Sequence, residues 1–240
     1  MYEERFYRND FSKHWHSYQV SVKETDILIQ SRGKLEQEKI YALVKRYRKE
    51  IEDYINIFPG FKTSLSPFTL REPAPAIVKD MIEKSSLADV GPMASVAGAV
   101  AEYVGRELLE FTPEIIVENG GDIFIRKIGD IILGLYAGKN NFINNFLLSI
   151  KNSDSSLGIC SSSSSLGHSL SLGNADLAAV ISDSAVFADA MATRLANMVN
   201  DERDIEKAVK FSQKFSLLKG VVIVKRDKLG IWGDVQLLKK

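Results

Sequence analysis

Residues 114–136 read EIIVENGGDIFIRKIGDIILGLY, and they combine three short apolar runs with two glycine-containing turns. Each run has the length and the composition of a β-strand, and the turns between them are short enough for antiparallel hairpins. This stretch therefore predicts consecutive antiparallel strands. The predicted strands are Glu114 to Glu118, Asp122 to Lys127 and Ile131 to Tyr136, and the turns are Gly120-Gly121 and Gly129-Asp130.

On both sides of this stretch, predicted strands again occur in adjacent pairs rather than alternating regularly with helices. That order favours an α+β fold, with largely antiparallel or mixed sheets packed with helices, over a doubly wound fold. Since no internal repeat or linker stands out, we expect one domain over residues 1–240. The other predicted strands are His14 to Val22, Asp26 to Gln30, Phe146 to Ile150, Leu157 to Cys160, Leu177 to Ile181, Gly220 to Lys225 and Gly230 to Val235, and the predicted helices are Lys34 to Ile55, Pro75 to Lys84, Ala88 to Glu110, Ser184 to Asn200 and Asp201 to Lys210.

The composition excludes several functional classes. The 31 basic and 31 acidic residues among 240 cancel, so no overall field favours nucleic acid or an anionic membrane. No apolar run approaches the ~20 residues of a transmembrane helix. The single cysteine, Cys160, and three histidines exclude an internal disulfide and a Cys/His zinc cage. With a start that is charged from the third residue, we expect a cytoplasmic protein.

The predicted helix from Ser184 to Asn200 has an unusual polar face. At about 100° per residue, Asp189 and Thr193 share one side, while Phe187, Met191, Leu195 and Met198 form an apolar stripe on roughly the opposite side. Small alanines surround the carboxylate and the hydroxyl, where an amphipathic helix would carry Lys and Glu. Because hard cations prefer oxygen ligands, this face predicts an Mg²⁺ site.

A second segment, Gly91 to Gly98, reads GPMASVAG and places a proline just inside a predicted helix start. The unpaired N–H groups of that first turn are suited to an anion. The alternative is a closely packed helix of small residues with no ligand.

The third segment is Glu118 to Asp122, where paired glycines separate two strands. Gly120 and Gly121 allow positive φ angles and a close approach of the backbone to a ligand, and Asn119 and Asp122 supply hydrogen-bonding groups. A tight hairpin turn without a ligand is the alternative.

The fourth segment runs from Gly158 through Ser161 to Ser165 and reaches His168. Its hydroxyl and amide groups predict a phosphate or flavin site, and the imidazole of His168 is a candidate general base or phosphate contact. The alternative for His168 is a histidine that bonds a backbone carbonyl. Cys160, flanked by Ile159, is expected to be buried and not a nucleophile.

Taken in order, the four segments resemble the ApbE family of flavin transferases, which attach FMN from FAD to protein threonines. The family has a glycine-rich helix start, an N-x-G-G-D turn, a G-[IV]-x-x-S/T stretch leading to a histidine, and an A-D-A-x-x-T helix. The likeness covers about Asp89 to Asn200. GPMASVAGAVAE, ENGGDIFI and LGHSLSLGNAD are most similar to a shorter branch of the family, common in archaea and some bacteria.

The resemblance implies an Mg²⁺ site and a flavin-nucleotide site. Asp189 and Thr193 would be side-chain ligands of the metal, joined by a main-chain carbonyl near Met93 or Ala94, and His168 and Asp189 would be catalytic. The implied ligands are Mg²⁺ and FAD or FMN, and the implied partners are a small nucleotide or flavin and a protein acceptor, with a homo-oligomer left open. The implied nucleotide-binding residues are Ser95, Asn119, Gly120, Gly121, Asp122, Ser161, Ser162 and His168.

Two departures from the family pattern concern catalysis. Ser95 stands where the transferases usually carry a lysine, and Ser169-Leu170-Ser171 replaces the Ile-Asp-Pro that usually follows the histidine. The chain thus lacks a cationic phosphate contact and an acidic group. Two further interpretations therefore stay open: a flavin- or nucleotide-binding protein without transferase activity, and an interaction protein whose small-residue helices only pack closely.

Overall fold

An eight-stranded antiparallel sheet forms the centre of the computed structural model, which describes residues 15–137, 140, 142–151, 155–163 and 174–239. The spatial order of its strands is β1-β2-β3-β4-β7-β8-β9-β10, so the sheet is built almost entirely from sequence neighbours. The large sheet consists of β1 (His16–Val22), β2 (Thr25–Ser31), β3 (Ile115–Asn119), β4 (Asp122–Arg126), β7 (Ser156–Ser162), β8 (Leu177–Ser182), β9 (Leu218–Lys225) and β10 (Lys228–Gly233).

A second sheet of three strands, in the order β11-β6-β5, accompanies the large one. Side chains of β3 alternate between two apolar cores, with Ile115 and Val117 in one core and Ile116 in the other. The core that includes Ile116 also takes buried residues from the three-stranded sheet, such as Leu148 and Ile150. The strands of the small sheet are β5 (Ile131–Gly134), β6 (Phe146–Ile150) and β11 (Val235–Lys239).

The helices contribute to the other core. An apolar stripe at helical spacing buries one side of the longest helix, including Ile40, Val44 and Ile51, and leaves its charged residues outside. The two helices richest in small residues contact the middle of the large sheet and each other. The helices are α1 (Gln37–Ile57), α2 (Gly60–Thr63), α3 (Ala76–Leu87), α4 (Val96–Leu108), α5 (Ala185–Met198) and α6 (Asp204–Ser212).

The α+β class with antiparallel sheets is confirmed, but several predicted bounds are wrong. The predicted helix from Ala88 begins later, because the chain turns at Asp89 with a φ of 57° and then forms a 3₁₀ turn at Pro92–Ser95 before α4. The last predicted strand, Gly230 to Val235, is two strands. Gly233 has a φ of 96° and separates β10 from β11, which pairs with β6 in the small sheet.

None of the described helices combines the length and the apolar character that a membrane crossing requires.

Candidate functional site

The hairpin of β3 and β4 closes with the predicted glycine pair. Asn119 pairs with Asp122 across the two-residue turn, in which Gly120 and Gly121 have φ angles of 70° and 102°. Such angles favour glycine and suit the twist of a two-residue hairpin. The turn is also fixed by Glu118, whose Oε1 accepts a hydrogen bond from the amide of Gly121 at 2.7 Å. The predicted turn between the two strands is therefore confirmed as a tight hairpin, and its role in ligand binding stays a prediction.

The same hairpin places two polar side chains close to the start of α4. Asn119 Nδ2 donates to the carbonyl oxygen of Ala97 at 3.1 Å, in the first turn of that helix. Asp122 Oδ1 accepts from the amide of Ser161 on the adjacent strand β7 at 3.2 Å. The predicted third and fourth segments thus meet at the end of the sheet, and the third also contacts the second at the N-terminus of α4.

The N-terminus of α4 binds an anion that the chain itself supplies. The amide of Gly98 donates to Oδ2 of Asp189 at 2.9 Å, and the amide of Ala97 also bonds this carboxylate. First-turn amides have no partner within their own helix, so a carboxylate is favoured there both as an acceptor and as a charge near the helix dipole. These amides thus bond a side chain of the same protein, the predicted metal ligand Asp189, and the predicted binding of an external anion at this helix start stays a prediction.

Missing β-carbons explain how α5 comes so close. A Cβ built on Gly98 would lie 2.3 Å from the carbonyl oxygen of Ala185, and one built on Gly158 would lie 2.2 Å from the Cα of Ala185. The first residue of α5 is therefore wedged between α4 and β7. Any larger side chain at either glycine would displace the helix that carries Asp189 and Thr193.

The predicted division of α5 into an apolar and a polar side needs a correction. Phe187, Met191 and Leu195 are fully buried, as the stripe requires, while Met198 is half-buried. The opposite side is also buried, because Asp189 and Thr193 are each only 9% exposed. Alanines allow neighbouring elements to pack on almost every side of this helix, so the polar pair lies inside the protein.

Two buried carboxylates now lie together without a counter-charge. Burial raises the pKa of Asp189 to about 7, and the bonds from Gly98 and Ala97 only partly offset this. Burial, followed by the charge of Asp189, raises the pKa of Asp122 well above its usual range. Within the described part of the chain, neither carboxylate faces a basic side chain. Near neutral pH the pair therefore favours binding either a proton or a cation.

The serine tract contributes groups on both sides of β7. Ser161 is exposed, whereas Ser162 is 8% exposed and its hydroxyl has no hydrogen-bond partner in the described structure. Cys160 is buried as expected, with Sγ 3.4 Å from the carbonyl oxygen of Ala185. Burial and the two nearby carboxylates raise the pKa of Cys160, which keeps the thiol protonated. His168 lies outside the described residues, so its predicted role stays a prediction.

The 3₁₀ turn contains the other predicted ligands. Ser95 is fully buried, and its Oγ donates to the carbonyl oxygen of Pro92 at 2.8 Å, within the turn itself. Ala94 is half-buried, and the turn packs against α5, the helix that carries Asp189 and Thr193. Across the described ranges, no three His, Cys, Asp or Glu side chains cluster as a metal site. The predicted set depends instead on one carboxylate, one hydroxyl and one carbonyl oxygen.

The sequence interpretation missed Glu102, a fully buried residue of α4. Its Oε2 accepts from Ser184 Oγ at 2.9 Å and from the amide of Val186 at 3.0 Å, at the beginning of α5. One signal was available. Glu102 is the first charged residue after twelve small or apolar residues, and it lies one helical turn beyond Gly98.

Comparisons with known proteins agree with this architecture. The family model described as AbpE bacteria matches residues 8–230. The chain belongs to this family. Within the ApbE-like superfamily, this member is similar to the UPF0280 protein of Methanocaldococcus jannaschii, with 37% identity over 231 residues and 94% of both chains covered. The UPF0280 protein of Methanococcus vannielii is 38% identical over 231 residues, with 92% of both chains covered.

Solved structures show the same fold at low sequence identity. The flavin transferase ApbE of Vibrio cholerae has a TM-score of 0.58 and 13% identity, and the match covers 91% of this ApbE-like chain and 96% of that one. The apo flavinyl transferase ApbE of Pseudomonas stutzeri has a TM-score of 0.60 and 10% identity, with 91% and 93% covered. The ApbE-like fold predicted from the four segments is therefore confirmed.

Proposed function

We propose that this ApbE-like protein binds FAD together with Mg²⁺ and transfers the FMN portion to an acceptor hydroxyl. The observation that carries the proposal is the pair of buried carboxylates, Asp122 and Asp189, beside the N-terminus of α4. A cation bound there would offset the burial that raises the pKa of both carboxyl groups, and also the charge of Asp189 that further raises the pKa of Asp122. The likeness to the flavin transferase of Vibrio cholerae and the flavinyl transferase of Pseudomonas stutzeri supports the same chemistry.

The donor set fits Mg²⁺, since a hard cation takes oxygen ligands. Asp189 and Thr193 would hold it with their side chains, and the carbonyl of Ala94 would complete the protein ligands. The carboxylate of Asp189 is already oriented by the amide of Gly98. The buried and unpartnered hydroxyl of Ser162 is a further polar group left for a bound nucleotide.

The proposed reaction is a phosphoryl-type transfer. The acceptor oxygen attacks the phosphorus on the FMN side of the FAD pyrophosphate, the bond to the bridging oxygen breaks, and AMP leaves with that electron pair. Bound Mg²⁺ supplies charge neutralisation of the pyrophosphate. Asn119, Gly120, Gly121 and Asp122 border the nucleotide, with Ser161 and Ser162 toward its phosphates or ring. His168 is the proposed group that takes the proton of the acceptor, because an imidazole is suited to general base catalysis near neutral pH, and Asp189 would take part through the metal that it holds.

The test is AMP release from FAD by the purified protein with Mg²⁺ and a threonine-bearing acceptor. Asp189→Ala should abolish release, and Asp53→Ala on the exposed side of α1 should not change it. Circular dichroism and the denaturation midpoint of each variant report on the fold. Failure of the wild type to bind any flavin, with or without Mg²⁺, would overturn the proposal and favour an interaction protein.

A second candidate function is flavin or nucleotide binding without transfer. The observation that favours it concerns Ser95, which stands where the transferases usually carry a lysine. Its hydroxyl donates a hydrogen bond to the carbonyl oxygen of Pro92 and adds no positive charge. With that cation missing, less charge stabilisation is available to the transition state. Saturable FAD binding without AMP release at any Mg²⁺ concentration would select this candidate over the enzyme.

A further inference from the structure

Glu102 is a completely buried carboxylate whose contacts lead to the metal-ligand helix. Besides its two bonds to Ser184 and Val186, its Oε1 is paired with Arg106, one turn further along α4. Ser184 is the N-cap of α5 and itself accepts from the amide of Phe187 at 3.3 Å. Glu102 and Ser184 together therefore satisfy two of the amides that the first turn of α5 leaves unpaired.

The spacing of these contacts makes a two-point clamp between α4 and α5. Gly98 and Glu102 are one turn apart on α4, and they bond Asp189 and Val186, which are three residues apart on α5. The two helices run in opposite directions through this contact, since the earlier residue of α4 bonds the later residue of α5. The clamp closes only because a glycine at position 98 lets the backbones approach.

We propose that Glu102 is a positioning residue for the carboxylate of Asp189: by bonding the first turn of α5, it sets the register of α5 against α4. The bond from Gly98 then presents Asp189 in the orientation that a metal requires. This inference rests on the proposed function as far as the metal is concerned, while the register itself is a property of the free protein. Outer partners of ligand side chains change metal affinity by about 10–100-fold in known sites.

The experiment compares three variants by Mg²⁺ titration calorimetry and by the ¹H–¹⁵N resonance of the Gly98 amide. Glu102→Ala removes both acceptor bonds, and we expect about tenfold weaker Mg²⁺ binding and a displaced Gly98 resonance in the metal-free protein. Glu102→Gln keeps an oxygen for Ser184 and Val186, so affinity and resonance should return most of the way to the wild type.

Glu107→Ala is the matched control, because it is the same substitution in the same helix and removes contacts to Tyr47 and Arg46 of α1 instead. We expect neither readout to change with it. Should Glu102→Ala fail to fold, Ser184→Ala removes one donor and should displace the Gly98 resonance by less.

An unchanged Gly98 resonance in Glu102→Ala, or in Ser184→Ala if that variant is needed, would overturn the inference. Equal losses in the Gln and Ala variants would also overturn it, since charge and not register would then matter. If the wild type binds no Mg²⁺ at all, the proposed function fails, and the Gly98 resonance alone decides the role of Glu102.

Discussion

Helices α1 and α5 hold charged side chains in opposite surroundings. On α1 the ion pair of Lys49 and Asp53 has both side chains more than half exposed, on the side away from Ile40 and Val44. On α5 the carboxylate of Asp189 is 9% exposed and bonds backbone amides. Solvent screens the first pair, while burial raises the pKa of the second group to about 7. Only the buried carboxylate gains from a ligand that neutralises it.

The largest effect should come from filling the space at the contact of α4 and α5. Gly98→Ala puts a methyl group against the carbonyl oxygen of Ala185. Because this neighbour is a backbone atom, the start of α5 would have to move away from α4. We expect the free energy of unfolding to fall by about 3 kcal/mol in urea denaturation. Gly134→Ala is the control, because a Cβ there meets nothing within 4 Å. Equal losses in the two variants would show that the close contact does not limit stability.

A smaller effect, of opposite sign, is expected when a buried charge is removed. Asp122→Asn should raise the free energy of unfolding at pH 8, because the ionised form is disfavoured in the folded state. The gain should disappear near pH 4, where Asp122 is protonated in the folded protein. Asp53→Asn on α1 should change stability little at either pH. A gain that is independent of pH would point to packing rather than charge.

Mg²⁺ should offset the loss of stability that the wild type shows as pH rises. A folded-state pKa of about 7 for Asp189 lies above the unfolded value, so its contribution to stability is lost as pH rises toward and through 7. Mg²⁺ at ten times its dissociation constant should restore about 1.4 kcal/mol at pH 8. At pH 5 the protonated carboxylate binds metal poorly, and the gain should vanish. Thermal unfolding with Mg²⁺ and with EDTA measures the stabilisation at pH 8 and at pH 5. Equal shifts of the unfolding temperature at the two pH values would contradict a carboxylate ligand.

The smallest effect belongs to the surface of α1. Lys49→Ala breaks an exposed pair one helical turn apart, and we expect a change below about 0.5 kcal/mol that shrinks further in 0.5 M salt. Chemical denaturation at two salt concentrations checks it. A change as large as that from Asp122→Asn would remove the contrast between exposed and buried charges.

The sequence was sufficient where local pattern decides structure. Adjacent apolar runs predicted the antiparallel sheet, the glycine pair predicted the β3–β4 turn, and the spacing of Asp189 and Thr193 placed them on one side of α5. Burial of that side was not predictable, because nothing in the helix says that α4 covers it. Glu102 was missed for the same reason: its partners are 82 and 84 residues away along the chain. The split of β10 and β11 depends on one glycine turning the chain between sheets.

The hydrogen bond between Gly98 and Asp189 affects what the presence of this aspartate in related sequences says about their activity. Loss of this side chain would leave the amides at the start of α4 without a partner, so selection for folding alone would preserve a side chain that accepts hydrogen bonds at this position. A descendant that no longer handled flavin would still carry it. An intact Asp189 among relatives is thus weak evidence for enzymatic activity, and Ser162, whose hydroxyl has no hydrogen-bond partner in the described structure, is the better marker to follow.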